Sequence, residues 1–534
     1  MSDSILSLVP PVLAIVLVIS TRKVLLSLGL GVVSAAFLVS DYNPVDTVVR
    51  IWEAFSGIFW SDGALNTTYV FILIFTITLG VIAALIMMSG GSQAFSDWAV
   101  SRIRSRRGAQ LLASVLGVVI FIDDYFNALA VGQVARPVTD RHQVARAKLA
   151  YLIDSTSAPV AVLAPFSSWG ASIIGIMAPI VAASTLEVSD VEAFIGAAGL
   201  NYYAIAAVVT VFIVVGLQID AGPMRREEVR AVEEGLTYDR SEEIPGELSE
   251  DLPIHRPGAK RALVVPFLAL VVGVVCGIVW TGYQAGDSLA ILDVMANTDV
   301  TEALIYGAVL GLATALYYYV RYTAQNPKFD TAVLGRGVLQ GAQSMMPAVY
   351  ILLLAWMLGD LIGELGTGEY LGGLVESADL SPAWLVPVIF VAASAMAFST
   401  GTSWGSFGIL LPIAGDIMNS VGEPDLLLPA LGAVLAGAVF GDHCSPISDT
   451  TILSSTGASC NVITHVTTQL PYALFSAGSA LIGYVVLAAT GSGWAGFAAT
   501  IVTLAVGGLV GRRVFPVLES VTGPRPATAT GDPA

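Results

Sequence analysis

Residues 439–458 read V-F-G-D-H-C-S-P-I-S-D-T-T-I-L-S-S-T-G-A, and no ordinary apolar helix has this make-up. The stretch lies inside a long hydrophobic region yet holds two aspartates, a histidine, a proline and a series of hydroxyl side chains. Between Arg336 and Arg512 there is no Lys or Arg. Asp442 and Asp449 therefore have no cationic partner in the surrounding sequence and must find hydrogen bonds, an ion or a proton. Pro446 removes a backbone donor, and Gly, Ser and Thr tolerate an unwound segment. The stretch thus predicts a membrane helix over about 431–455 that is interrupted near its middle.

A near-copy stands earlier in the chain. Residues 151–171 read Y-L-I-D-S-T-S-A-P-V-A-V-L-A-P-F-S-S-W-G-A. With one residue of offset Asp154 falls on Asp442, Pro159 on Pro446, Ser167-Ser168 on Ser454-Ser455 and Gly170-Ala171 on Gly457-Ala458. Two interrupted helices in corresponding positions of the two halves are a sequence pointer to a transporter's binding site. The first is expected over about 149–181.

Working outward, the composition admits only one class of fold. Of 534 residues, 55% are apolar and 12% charged, and mean hydropathy is +0.78, which excludes an ordinary soluble globular protein. The expectation is an all-α polytopic membrane protein with about 11 transmembrane helices, multi-pass in the cell membrane. The net charge of −17 sits largely in loops and tails, above all in residues 220–251, a run read as solvated acidic loop. Cys276, Cys444 and Cys460 give no disulfide framework. The first residues lack a positive n-region and a small-residue cleavage site, so 5–20 reads as a retained first span.

Basic short loops set the orientation. Arg22 and Lys23 place the first loop inside, and an outer segment, 41–68, carries Trp52, Trp60 and a surface helix. Arg102, Arg104, Arg106 and Arg107 mark the inside again. Only 28 residues separate Arg107 from Arg136, where two crossings need about 40. With both flanks basic, 108–136 reads as a re-entrant hairpin with F-I-D-D-Y-F-N (121–127) near its tip. A second hairpin, about 383–428, enters from the outside with F-S-T-G-T-S-W-G-S-F-G (398–408) at its centre. Residues 1–219 and 262–490 then show the same order with opposite basic signs, which describes an inverted-topology repeat. A charged cytoplasmic linker, 220–261, needs no fold of its own; 491–518 is an extra span and 519–534 a disordered tail.

The candidate residues follow from this frame. Asp123 and Asp124 are adjacent carboxylates at a hairpin tip, able to trade a proton for a cation. Asp154 with Ser155 and Thr156, and Asp442 with Ser445, Asp449 and Thr450, place carboxylates beside hydroxyls and freed carbonyls, a hard-oxygen environment suited to small alkali cations. Asp124, Asp154 and Asp442 are the expected ligands of such a cation. His443 reads as an uncharged packing or proton-sharing group. His443, Cys444, Cys460 and His465 do not make a zinc set, since adjacent side chains cannot aim at one metal and no C-x-x-C or H-x-x-H occurs. G-T-S-W-G (401–405) matches a nucleophile elbow, the signature of a serine hydrolase. That motif needs a strand before it, and the adjacent Asp442 and His443 do not form a triad. Val439 removes the G-x-G-D of an intramembrane aspartyl protease, and no Walker motif is present.

Four stretches together, F-I-D-D-Y-F-N (121–127), L-A-Y-L-I-D-S-T-S-A-P (149–159), F-S-T-G-T-S-W-G (398–405) and F-G-D-H-C-S-P-I-S-D-T-T-I-L-S-S-T-G (440–457), resemble the NhaC-type sodium/proton antiporter family of the ion-transporter superfamily. The resemblance extends over nearly the whole chain. It implies exchange of cytoplasmic Na⁺ for external protons by alternating access, with sites at Asp123, Asp124, Asn127, Asp154, Thr400, Thr402, Ser403, Asp442, Ser445 and Asp449. Relatives that exchange organic anions or amino acids share the scaffold, so an ion-coupled organic exchanger is the alternative. The expected partners are Na⁺, protons and the bilayer, with a homodimer left open, no nucleic acid and no cofactor.

Overall fold

A backbone in hydrocarbon has to satisfy its own N–H and C=O groups, so apolar runs of this length dictate helices. The computed structural model describes residues 5–21, 23–61, 63–121, 124–165, 167–186, 188–242, 252–286, 291, 294, 297–367, 370, 381–421 and 423–518. In chain order the helices are α1 (Val9–Thr21), α2 (Val24–Val39), α3 (Pro44–Phe59), α4 (Thr67–Met88), α5 (Gly91–Arg102), α6 (Arg106–Val119), α7 (Asp124–Arg141), α8 (Arg146–Asp154), α9 (Ala158–Ala161), α10 (Ser168–Ala182), α11 (Asp190–Gly199) and α12 (Tyr202–Leu217). They continue as α13 (Pro223–Glu233), α14 (Arg261–Gly286), α15 (Val300–Thr323), α16 (Thr331–Glu364), α17 (Pro382–Thr400), α18 (Ser403–Val421), α19 (Pro424–Cys444), α20 (Asp449–Ala458), α21 (Val462–Thr490) and α22 (Gly493–Val514). The expected surface helix of the outer segment is α3, capped by Asn43, with Trp52 exposed.

Among the described residues eight helices are long and apolar enough to cross a membrane, or nine if α11 and α12, bent by 53°, form one span. The expected count of about 11 is not confirmed among the described residues. The helices at the expected first two spans have 13 and 16 residues, and the outer limb of the first broken span has 15, each short of the roughly 20 that a crossing needs. The expected disordered tail, 519–534, lies outside the described residues.

Both interrupted helices are present. The first ends at Asp154, unwinds over 155–157 and resumes through α9 and α10; the second ends at Cys444, unwinds over 445–448 and resumes at Asp449. The core divides at these breaks. One apolar cluster takes α2, α4, α14 to α16, α8 and α20; the other takes α10, α11 and α17 to α19, with α12 and α21 running through both. Each broken helix crosses from one cluster to the other at its break, so the Ser, Thr, Asp and His side chains of 154–157 and 442–450 form a polar layer between two apolar ones.

Small residues bring the helices within each cluster together. A Cβ on Gly132 of α7 would lie 2.3 Å from the Gly457 backbone of α20, and one on Gly441 of α19 would lie 2.3 Å from the Ser394 carbonyl of α17. The linker departs from expectation, for it does have a fold. Residues 223–233 form α13, whose Met224, Glu228 and Ala231 are buried. Glu228 pairs with Arg106 at the start of α6, and Asp220 accepts from Lys148 Nζ of α8 at 2.8 Å, with both Lys148 and Asp220 buried. The Arg146 guanidinium lies 3.9 Å over the Tyr238 ring, and Thr464 Oγ1 of α21 donates to Glu242 at 2.8 Å. These partners are far apart in sequence, so a composition that reads as solvated loop conceals a docked segment. Its last part, 243–251, lies outside the described residues.

Candidate functional site

The turn between α17 and α18 is made by Gly401, whose φ of +73° favours a residue without Cβ. A Cβ there would also lie 2.7 Å from the Ile447 carbonyl, so this turn abuts the second break directly. Ser403, first residue of α18, donates through its backbone N–H (3.1 Å) and its Oγ (2.7 Å) to Asp442 Oδ2. Ser448, the N-cap of α20, donates to Asp442 Oδ1 at 2.5 Å and lies 2.9 Å from Thr450 Oγ1. Ser445 Oγ donates to the Phe398 carbonyl, tying the break to α17. Asp442 thus sits at the negative end of α19, held by hydroxyls and an amide, with no Lys or Arg within ion-pair distance among the described residues.

Asp449 opens α20, where the helix dipole favours a carboxylate. Its Oδ2 accepts from the Tyr125 hydroxyl at 2.5 Å and its Oδ1 from the Thr450 N–H at 2.8 Å. Tyr125 and Asp124 begin α7. Asp124 is buried, and its Oδ1 accepts from Trp169 Nε1 at 2.9 Å. Asp124 and Asp449 line one cavity of about 850 Å³, together with Thr400, Thr402, Trp169, Trp404, Tyr69, Trp356 and Asp360. The cavity reaches the ends of α4, α15 and α16 that lie away from the basic loops, since Thr68, Asp299 and Asp360 are in its wall.

The remaining candidates lie elsewhere. Asp154 is fully buried and is not among the lining residues. Its Oδ2 accepts from His465 Nε2 (3.1 Å) and Gln469 Nε2 (2.7 Å), and its Oδ1 from Ser454 Oγ (3.2 Å). His443 stands between the two breaks: Nε2 is 3.0 Å from Ser155 Oγ, Nδ1 is 2.6 Å from the Tyr203 hydroxyl, and its carbonyl accepts from Gln469. Asn127 Nδ2 donates to the carbonyls of Gly117, Ile120 and Thr156, closing the α6–α7 turn against the first break. Thr156 Oγ1 donates back to Leu152 at 2.7 Å. Asp123 lies outside the described residues. Among the described residues no group of three or more His, Cys, Asp and Glu could hold a metal ion as a resident site.

Sequence reasoning assigned no role to the aromatic wall. The signal was there, in a tripeptide that occurs in both halves: Ser168-Trp169-Gly170 and Ser403-Trp404-Gly405. The two indoles meet with centroids 5.1 Å apart. His465 and Gln469, by contrast, carry no local pattern that marks them as partners of a residue some 310 positions earlier.

Comparison with known proteins adds the following. A model of the Na+/H+ antiporter family matches residues 160–489. A protein of Haemophilus influenzae carrying the name "Uncharacterized protein" is 44% identical over 511 residues, 95% of each chain. A malate-2H(+)/Na(+)-lactate antiporter of Bacillus subtilis is 34% identical over 141 residues, 26% of this chain and 29% of its own. The arginine/ornithine antiporter ArcD of Halobacterium salinarum is 31% identical over 204 residues, 37% of this chain and 39% of its own.

Proposed function

Since the chain belongs to the Na+/H+ antiporter family, we propose that this multi-pass secondary transporter exchanges Na⁺ for protons by alternating access. The observation that carries the reading is the convergence of three carboxylates, Asp124, Asp442 and Asp449, on the second break and the two helix turns packed against it. Asp442 and Asp449 are surrounded by hydroxyls rather than by basic side chains. A desodiated carboxylate there has a proton as its natural replacement for the ion, which is the chemistry of exchange. Asp449 and Asp124 face the cavity, and Asp442 stands one layer behind it, gated by Ser403 and the Gly401 turn.

On this reading α6–α7 and α17–α18 are the two re-entrant hairpins of an inverted repeat, 1–219 and 262–490, and the cavity is the external approach to the ion site. Asp154, Ser155, Thr156, Asn127 and His443 hold the first break against the second. Movement at one break is thereby transmitted to the other through His443 and Gln469. The test is proteoliposomes loaded with a pH dye: addition of Na⁺ should move protons, and no Na⁺-dependent proton flux in active protein would refute the proposal.

A second reading, ion-coupled exchange of an organic solute, is favoured by the size of the cavity. A volume of about 850 Å³ is in the range of organic-ligand sites and far exceeds what one alkali ion occupies. Relatives named for malate, lactate, arginine and ornithine are consistent with such a cargo.

A further inference from the structure

The wall of the cavity has one sign of charge. Asp124, Asp299, Asp360 and Asp449 line it, and among the described residues no Lys, Arg or His does. It also has two aromatic faces, one from each apolar cluster. Trp169 and Trp404 pack at 5.1 Å on the side of α10 and α18, backed by Phe407 at 5.6 Å from Trp404, while Tyr69 and Trp356 pack at 4.6 Å on the side of α4 and α16. Aromatic faces attract cations through the ring quadrupole, and more strongly where water is excluded. An organic anion would meet four carboxylates with no countercharge. An alkali ion would leave most of the volume and every ring unused.

We propose that this cavity binds an organic cation, an ammonium or guanidinium compound between a basic amino acid and a short polyamine in size, as transported cargo, and that it rejects dicarboxylates and hydroxy acids. The proposal rests on the second reading above and chooses between its two charge classes. Asp360 and Asp299 take the cationic head at the outer end, the paired rings hold the alkyl body, and Thr400 and Thr402 supply hydroxyls at the inner end. Asp360 has no part in the ion site around Asp442, so its role is recognition of the cargo.

The experiment uses the full chain in lipid nanodiscs. Intrinsic tryptophan fluorescence is titrated with L-lysine, agmatine and putrescine, and separately with L-malate and L-lactate, at fixed Na⁺ and pH. The expected result is saturable quenching by the cations and none by the acids. Asp360→Asn should raise the dissociation constant at least tenfold. Trp404→Phe, which keeps a ring, should bind more tightly than Trp404→Ala, with both read by competition against radiolabelled agmatine so that loss of a fluorophore does not enter. Saturable binding of malate or lactate, or no cation binding in protein that still shows Na⁺-dependent proton flux, would overturn the proposal while leaving the ion exchanger intact. Cation binding without any Na⁺-dependent proton flux would uphold it and remove the ion reading instead.

Discussion

The Tyr125 hydroxyl donates to Asp449 Oδ2 at 2.5 Å, joining two residues 324 positions apart and locking the start of α7 onto the start of α20. A hydrogen bond to a charged group contributes roughly 1.5–3 kcal/mol. Tyr125→Phe should therefore lower exchange, or apparent ion affinity, by about tenfold or more while leaving the protein folded. Initial rates of Na⁺-dependent proton flux over a Na⁺ series measure this, and a rate equal to wild type would make the contact structural.

Neutralising the central carboxylate tests the ion site most directly. In Asp442→Asn one oxygen is kept for Ser403 and the amide can pair with the Ser448 hydroxyl, so Tm in detergent should stay within a few degrees of wild type. Exchange should nevertheless vanish, because loss of a desolvated charged partner costs about 2–5 kcal/mol of binding. Asp124→Asn should behave alike. Undiminished exchange in Asp442→Asn would move the site elsewhere.

Asp154 should respond differently. It is the common acceptor for His465, Gln469 and Ser454, and Asp154→Ala leaves these buried donors unpaired at about 1–3 kcal/mol each. A marked loss of Tm and of expressed protein is expected. Asp154→Asn, which keeps one acceptor, should fold with an altered pH optimum of exchange.

The docked linker makes stability depend on pH. Burial, with Asp220 nearby, raises the Glu228 carboxyl from 4.5 to about 7, against the opposing pull of Arg106 and Lys148. A carboxyl raised in the folded state binds a proton that the unfolded chain has released. Its contribution is fully present below about pH 4.5 and lost as pH rises through 7, on the order of 1–3 kcal/mol. Tm of the wild type should fall across that window, and Glu228→Gln should flatten the fall. Lys148→Ala, which strands the buried Asp220, should cost about 3–5 kcal/mol at any pH in this range.

Gly401 tests the turn behind which Asp442 lies. Gly401→Ala adds about 1–2 kcal/mol of left-handed strain and sets a methyl against the Ile447 carbonyl. Slower exchange with unchanged expression is expected.

What the sequence disclosed was whatever local chemistry could encode. Pro446 and Ser445 inside an apolar run announce the break, and the spacing of Arg107 and Arg136 announces a segment too short for two crossings. Asp442, Asp449 and Asp124 stood out because a charged residue in hydrocarbon has few reasons to exist, and Thr402 entered through the family resemblance. What stayed hidden depended on distant pairing. Asp154 looked equivalent to Asp442, yet α21 supplies His465 and Gln469 to the first and nothing comparable to the second. Glu228 looked solvated because nothing in its neighbourhood names Arg106. The tryptophans were given no role, although their tripeptide is duplicated.

The two apolar clusters have a consequence for how the molecule is made. Each draws helices from before and after the linker: α4 and α8 sit with α15 and α20, and α10 and α12 with α17 and α19. The polypeptide synthesised first has no complete interior to collapse around. On its own it would leave uncovered the Gly132 face that Gly457 packs against in the folded structure. Two genes, each encoding one half, should thus yield protein only when expressed in the same cell, and either product alone should be cleared by membrane proteolysis.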